Sequence, residues 1–162
     1  MLNTATTYLA LLQEDDLDIK AVALDKLDLL VDDYWAEISD YISELETLYN
    51  SNLIPFKNEL LSLILSKIYY NLEDYDSAIE WALQAGVKFN IKEKSQYVNI
   101  ILQKIIEKYI GIRKNNFFNE EKTQIDERIN KIVQTIFSKC LEKREVNQAI
   151  GFGLESYDLE RV

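Results

Sequence analysis

Apolar residues recur at spacings of three and four along most of this chain, which is the period of an amphipathic α-helix. The clearest stretch is 60–86, where an apolar helix, a short acidic turn and a second helix follow one another. The first helix carries a branched aliphatic stripe made of Leu61, Ile64, Leu65, Ile68 and Leu72. Several small residues allow the backbones of the two helices to approach each other closely; these are Ser66, Ala78, Ala82 and Ala85. The pattern predicts an antiparallel helical hairpin of the tetratricopeptide kind.

The same period predicts further helices on both sides of this hairpin. The amphipathic stretches are 8–12, 19–31, 35–49, 95–109, 125–140 and a last one from 146. Asp32 and Asp33 are expected to mark a bend or a new cap between the second and third of these. Pro55 and Gly86 are expected to interrupt the chain before and after the hairpin. The result is an all-α fold of about seven helices.

The segment 113–123 is the most loop-like part of the sequence, because it is rich in Asn, Lys and Glu. It contains two adjacent aromatic residues, Phe117 and Phe118. Such residues either dock on the body of the protein or meet a partner. Docking is the preferred interpretation.

A second, degenerate copy of the hairpin lies near the end of the chain. Residues 66–67 precede the helix start at 78–83, and residues 138–139 precede a similar start at 149–154. In each copy a small–aliphatic pair opens the helix, an aromatic follows two positions after the aliphatic, and a leucine lies four after it. Stacked hairpins that cover one another's apolar faces form an α-solenoid. We therefore predict a tetratricopeptide- or HEAT-like rod.

Composition and charge limit the possible functions. A chain of 162 residues fits one domain, taken as 1–162. Its 28 acidic and 18 basic residues give a net charge of −10, which repels phosphate backbones and anionic lipids. We expect neither nucleic acid nor a membrane as a partner. Four glycines and one proline also disfavour an all-β fold.

Cysteine usage is compatible with a reducing compartment, and the amino terminus does not look like a secretory signal. Cys140 is the only cysteine, so no internal disulfide forms. The first residues lack a basic region followed by an apolar core, and no stretch is long and apolar enough to span a bilayer. A soluble intracellular protein is the expectation.

The search for chemistry gives no catalytic, cofactor-binding or metal-binding residue, and so no cofactor. The chain has no histidine, which removes the commonest general base and metal ligand. Cys140 continues the stripe of the helix 125–140 and is predicted to be a small core residue. The acidic clusters 15–16, 32–33 and 74–76 fall at predicted helix starts or turns, where capping explains them. No phosphate-binding glycine loop or EF-hand pattern occurs.

Ten tyrosines leave an open question. Tyr69, Tyr70 and Tyr75 lie where a helical hairpin places packing aromatics. Residues 34, 41 and 97 are also tyrosines, which either belong to the core or form exposed anchors for a partner. The sequence does not separate these cases.

Four motifs in order along the chain resemble one family. They are VDDYWAEIS at 31–39, SKIYYNL at 66–72, KSQYV at 94–98 and AIGFGLESYDL at 149–159, and the opening LALL at 9–12 fits as well. Together they are similar to the amino-terminal region of the larger of the two big non-ATPase scaffold subunits in the base of the proteasome regulatory particle. The segment 113–123 has no counterpart in that pattern.

The resemblance implies a non-catalytic scaffold of the 26S proteasome, acting in ubiquitin-dependent protein degradation in the cytoplasm and nucleus. Subunits of this family hold the ATPase ring, the lid and the ubiquitin receptor together, partly through regions that lie beyond this one. The resemblance also implies a fragment or a shortened homologue. An apolar pattern that begins at Leu154 and Leu159 and stops at Val162 agrees with that expectation.

Two other classes remain open. A free-standing tetratricopeptide-like adaptor would bind a peptide or partner helix in a groove lined by Lys, Arg or Asn. An enzyme would require carboxylates such as Asp32, Glu37 and Asp74 to converge in one pocket.

Overall fold

The computed structural model describes residues 5–142 and residue 151. These residues form seven α-helices, two short 3₁₀-helices at Pro55–Lys57 and Gly86–Lys88, and no strand. The α-helices are α1 (Ala5–Leu11), α2 (Leu17–Ser39), α3 (Ile42–Ser51), α4 (Asn58–Asn71), α5 (Tyr75–Gln84), α6 (Gln96–Phe118) and α7 (Glu127–Glu142). The predicted all-α fold is confirmed. The helix expected from 146, and with it most of the second hairpin copy, lies outside the described residues.

Contacts within the chain group into two compact units, Met1–Ile101 and Leu102–Val162. The first unit holds α1 to α5 and the first turns of α6. The second holds the remainder of α6 and α7. The single domain expected over 1–162 stays a prediction.

Helices α4 and α5 are the hairpin predicted at 60–86. Asp74 caps α5 by accepting a hydrogen bond from the backbone N–H of Ser77 at 3.2 Å. Ala78 and Ala82 are buried against α4, as their small size predicts. Leu72 was expected in the buried stripe, but it lies at the turn after α4 and is exposed. The hairpin is therefore confirmed, and its apolar stripe ends one turn earlier than predicted.

Helix α2 runs on through the predicted boundary at Asp32 and Asp33. Non-helical backbone angles occur at Tyr34 (φ −118°, ψ 22°), so a bend is present there, but no new cap. Val31 and Ile38, on either side of this kink, are both fully buried, so both segments of α2 contribute to the core. The predicted bend is therefore confirmed, and the break between α2 and α3 comes later, at residues 40–41.

Helix α6 extends to Phe118, so the loop predicted at 113–123 is wrong for its first half. Polar residues such as Asn and Lys are tolerated on an exposed helical face, so a segment rich in them can still be helical. Phe117 and Phe118 are exposed, and their rings meet edge to face with centroids 5.2 Å apart. Both rings are therefore largely exposed, and their docking on the body stays a prediction.

The main core of the first unit is formed by α1, α2, α3 and α4. Its fully buried members include Leu9, Leu24, Leu27, Ile38, Leu45, Leu61, Ile64, Leu65 and Ile68. In the second unit, Ile129 and Val133 of α7 are buried. Cys140, predicted to be a core residue, is only half-buried, because it lies near the carboxyl end of α7.

Gly86 follows α5 with a left-handed backbone (φ +54°), a conformation that costs an L-residue roughly 1–2 kcal/mol. A Cβ at this position would also lie 2.9 Å from Glu59 Oε1. We expect Gly86→Ala to lower the free energy of unfolding by about that amount, as measured by urea denaturation. Gly111→Ala is a matched control, since nothing lies within 4 Å of its Cβ position and its φ is not left-handed. Equal stability of the two variants would contradict this role of Gly86.

Candidate interaction surface

A buried chain of hydroxyl groups joins three successive helices of the first unit. Tyr97, in the first turn of α6, donates to Ser66 Oγ at 2.7 Å. Ser66, in α4, donates in turn to the backbone carbonyl of Ala78 in α5 at 2.6 Å. Because Ser66 and Tyr97 are both buried, these bonds satisfy groups that would otherwise be costly to remove from water. The chain of hydroxyls therefore has a structural role.

The pKa values of two tyrosines in this unit are raised. Burial raises the pKa of Tyr97. Burial, followed by the 2.8 Å hydrogen bond that its hydroxyl donates to Glu46, raises the pKa of Tyr69 to about 12. Both groups stay neutral in the folded chain at a pH where a tyrosine in an unfolded chain, with a pKa of about 10, loses its proton.

Stability is therefore expected to fall as the pH rises above about 10, because the unfolded chain then releases protons that the folded chain retains. Below that pH the contribution of both tyrosines is fully present. Urea denaturation at a series of pH values measures the slope, and Tyr97→Phe is expected to make it shallower. An identical slope in the wild type and in Tyr97→Phe would contradict the assignment.

The predicted capping carboxylates are confirmed in two of three clusters. Asp16 caps α2 by accepting from the N–H groups of Asp18 at 2.8 Å and Ile19 at 3.3 Å. Asp74 caps α5. Asp32 lies inside α2, where it forms an ion pair instead of a cap. The kink in α2 follows at Tyr34, and the carboxylate of Asp32 is engaged by Lys67 of α4.

The three carboxylates that an enzyme would need to bring together are each engaged separately. Asp32 contacts Lys67, and Asp74 caps α5. Glu37 accepts from the backbone N–H of Thr6 at 2.7 Å and also from its hydroxyl, and these hydrogen bonds lower the pKa of Glu37. Within the described part of the chain, no group of three His, Cys, Asp or Glu side chains is placed to hold a metal. The absence of catalytic, cofactor and metal sites stays a prediction.

The three tyrosines left open by the sequence separate into different environments. Tyr97 is buried and belongs to the hydroxyl chain, so it is not an exposed anchor. Tyr41 is half-buried against the main core. Tyr34 is exposed, at the bend of α2. Of the three, Tyr34 alone remains a candidate anchor.

Helices α2 and α4 lie side by side and are joined by ion pairs. Lys57, just before α4, contacts Asp25, and Lys67 contacts Asp32 at 3.0 Å. From the first ion pair to the second, the residue number increases in both α2 and α4, so the two helices run in the same direction. Asp28 lies between these pairs on α2, and burial raises the pKa of its carboxyl, while the charge of Lys67 opposes that shift. The seam between α2 and α4 is therefore rich in charged side chains.

A cavity of about 290 Å³ opens at one end of this seam. Its lining is polar and comprises Asp32, Lys67, Tyr70, Asn71, Glu93, Ser95, Gln96 and Tyr97. Lys67 is already paired with Asp32, so its charge is partly neutralised. The sequence did not identify this cavity, because its lining comes from three separate segments.

No helix among residues 5–142 is both long enough and apolar enough to cross a lipid bilayer.

The described residues form only helices and turns, and their polar groups form caps, ion pairs between helices and a buried hydroxyl chain. This arrangement is that of a helical-repeat protein of the α-solenoid class. The sequence matches the family described as "26S proteasome subunit RPN2, N-terminal domain" over residues 3–162. The chain belongs to this family, and the resemblance stated from its motifs is confirmed.

Relatives from several organisms carry corresponding names. The 26S proteasome regulatory subunit RPN2 of Eremothecium gossypii is 41% identical over 159 residues, covering 98% of this chain and 17% of the relative. The 26S proteasome non-ATPase regulatory subunit 1 of Dictyostelium discoideum is 39% identical over 160 residues, covering 98% and 16%. The Saccharomyces cerevisiae RPN2 subunit is 38% identical over 163 residues, covering 98% and 17%. The chain thus spans about a sixth of the length of these relatives.

Proposed function

We propose that this chain is the amino-terminal helical part of a structural subunit in the base of the 26S proteasome regulatory particle. The observation that carries the proposal is the family match over residues 3–162, together with 38–41% identity to relatives named as proteasome regulatory subunits. The role is that of a non-catalytic scaffold in ubiquitin-dependent protein degradation. Its place of action is the proteasome of the cytoplasm and nucleus.

The described contacts support a structural role. The carboxylates that an active site would need are used for caps and ion pairs, and the buried hydroxyls are used to join helices. Helices that bury their apolar stripes against one another leave their outer faces available to other proteins. We expect the partners to be other regulatory-particle subunits. Contacts with the ATPase ring, the lid and the ubiquitin receptor also involve regions of the subunit outside this chain.

The proposal is tested by isolating the full-length gene product from the cells that make it, under native conditions and with a tag at its carboxyl terminus. Mass spectrometry of the purified material is expected to find ATPase-ring and lid subunits in near-equal molar amounts. Peptidase activity of the eluate on a fluorogenic substrate provides a second measure. Recovery of the tagged protein alone, at the sedimentation rate of a monomer, would contradict the proposal.

A second candidate is an adaptor that binds a peptide, which is favoured by Lys67 and Asn71 in the lining of the 290 Å³ cavity. An adaptor would recover short peptides from a random peptide library, and Asn71→Ala would weaken that binding. A scaffold would recover whole regulatory-particle subunits and would not select peptides at this cavity. The two candidates therefore give different results in the same pair of experiments.

A further inference from the structure

The outward face of α2 carries a regular alternation of acidic and apolar residues. Its members are Asp18, Val22, Asp25, Leu29 and Asp32, at successive spacings of four, three, four and three. We call this set the α2 stripe. Its acidic residues repeat every seven positions, and so do its apolar ones. A spacing of seven keeps residues on one side of a helix, and it is the repeat by which two helices pack along each other.

The fold uses the α2 stripe for two ion pairs, from Asp25 and Asp32 to lysines at α4, but it buries none of the five residues. All five residues are exposed, and Val22 and Leu29 have 55% and 73% of their surface accessible. The core side of α2 is supplied by other residues, including Leu24, Leu27 and Val31. Exposed aliphatic residues scattered singly need no explanation, but two at a seven-residue spacing between three carboxylates form an ordered surface.

Lys57 and Lys67 partly neutralise Asp25 and Asp32, but the carboxylate is the more exposed partner of each pair. The side chains of Lys57 and Lys67 are only 20% and 16% exposed, whereas those of Asp25 and Asp32 are 51% and 67% exposed. The lysines approach from the side of α4, so the carboxylates form the outer layer. A group that meets this surface from solvent therefore encounters carboxylates and aliphatic carbon, with the exposed Lys26 at the edge of the stripe beside Val22 and Leu29.

We propose that the α2 stripe is a docking site for a helix of another protein, in which apolar residues at seven-residue spacing alternate with Lys or Arg. Apolar residues of that helix cover Val22 and Leu29, and its cations lie against Asp18, Asp25 and Asp32. Charge complementarity of this kind selects a partner and sets its register. The inference rests on the proposed function in one respect, since it expects the partner among the subunits of the same assembly.

Charge also argues against a second copy of this chain as the occupant. In an antiparallel two-fold pairing, Asp18 would face Asp32 and each Asp25 would face its own copy. In a parallel pairing every carboxylate would face its own copy. Like charges placed directly opposite each other are destabilising, so the stripe disfavours self-association.

Site-specific cross-linking in the full-length gene product tests the proposal. A photoreactive phenylalanine analogue replaces Leu29 in the cells that make the protein, and the cross-linked peptide is identified by mass spectrometry after native purification. The matched control carries the analogue at Leu53, which is 53% exposed. Leu53 and Lys20 line the same cavity, which is not part of the α2 stripe. Lys20 lies about 200° around the axis of α2 from Val22, so Leu53 lies near the side of α2 that is opposite the stripe.

The expected result is a cross-link from position 29 to another polypeptide, in a helical segment with Lys or Arg between apolar residues seven apart. Position 53 is expected not to yield that peptide. A cross-link from position 29 to the same polypeptide, to a second copy, or to a segment without this pattern would overturn the proposal. So would the absence of any cross-link from an assembly that purifies intact, and that last result would leave the proposed function standing.

Binding affinity provides an independent measure once the segment is known. The double variant Val22→Glu, Leu29→Glu is expected to bind a synthetic peptide of that segment about tenfold or more weakly, since it adds two carboxylates and removes both apolar contacts. Leu53→Glu is expected to bind like the wild type. Equal affinity of all three proteins, with equal melting temperatures, would overturn the proposal. Failure to purify any regulatory-particle subunit with the wild type would instead count against the proposed function.

Discussion

Replacing Ala78 with tryptophan is expected to lower the free energy of unfolding by on the order of 1–3 kcal/mol or more. Ala78 has no accessible surface, and its carbonyl accepts the 2.6 Å hydrogen bond from Ser66. An indole at this position has no space between α4 and α5, so the two helices must separate and the hydrogen bond from Ser66 must lengthen. Urea denaturation followed by circular dichroism measures the loss.

Glu80→Trp is the matched control for this variant. It places the same side chain on the same helix, but at an exposed position. Its stability is expected to stay within about 0.5 kcal/mol of the wild type. If Ala78→Trp melted at the same temperature as Glu80→Trp, the close contact between α4 and α5 would be disproved.

Replacing Leu27 with alanine is expected to destabilise the chain by about 2–5 kcal/mol. Leu27 is fully buried in the main core on the inner face of α2. Its loss removes apolar contacts and leaves a cavity that α1 and α4, the neighbours of α2, fill only in part. The shift in the urea midpoint at constant slope gives the change in stability.

Leu29→Ala is an internal control, since it makes the same chemical change two residues further along the same helix. Leu29 lies on the outward face and is 73% exposed, so its truncation is expected to change the stability of the isolated chain by about 0.5 kcal/mol or less. A large loss at Leu29 together with a small loss at Leu27 would mean that the inner and outer faces of α2 are assigned the wrong way round.

Local signals in the sequence were enough to predict the hairpin and its caps. The aliphatic stripe of α4 needs only the helical period, and the cap made by Asp74 needs only a carboxylate before a helix. Gly86 was recognised as a helix stop because glycine tolerates a left-handed backbone. In each of these cases the residues that determine the structure lie within a few positions of one another.

Features that depend on distant parts of the chain were not predicted. Asp32 looked like a cap, but its partner is Lys67, thirty-five residues away. Tyr97 looked like a possible surface anchor, but its hydroxyl meets Ser66 across the interface between helices. The seven-residue spacing of the α2 stripe is visible in the sequence, but its exposure depends on which face of α2 the other helices cover.

The buried hydroxyl of Ser66 has a consequence for how three helices are held relative to one another. Apolar contacts between helices are non-directional, so helices held by them alone can slide or rotate slightly past one another at little cost. A hydrogen bond is directional, and Ser66 makes two, to α5 and to the first turn of α6. A rotation of the start of α6 against α4 and α5 would have to bend or break one of these bonds. The hydroxyl of Ser66 therefore couples the orientations of the three helices.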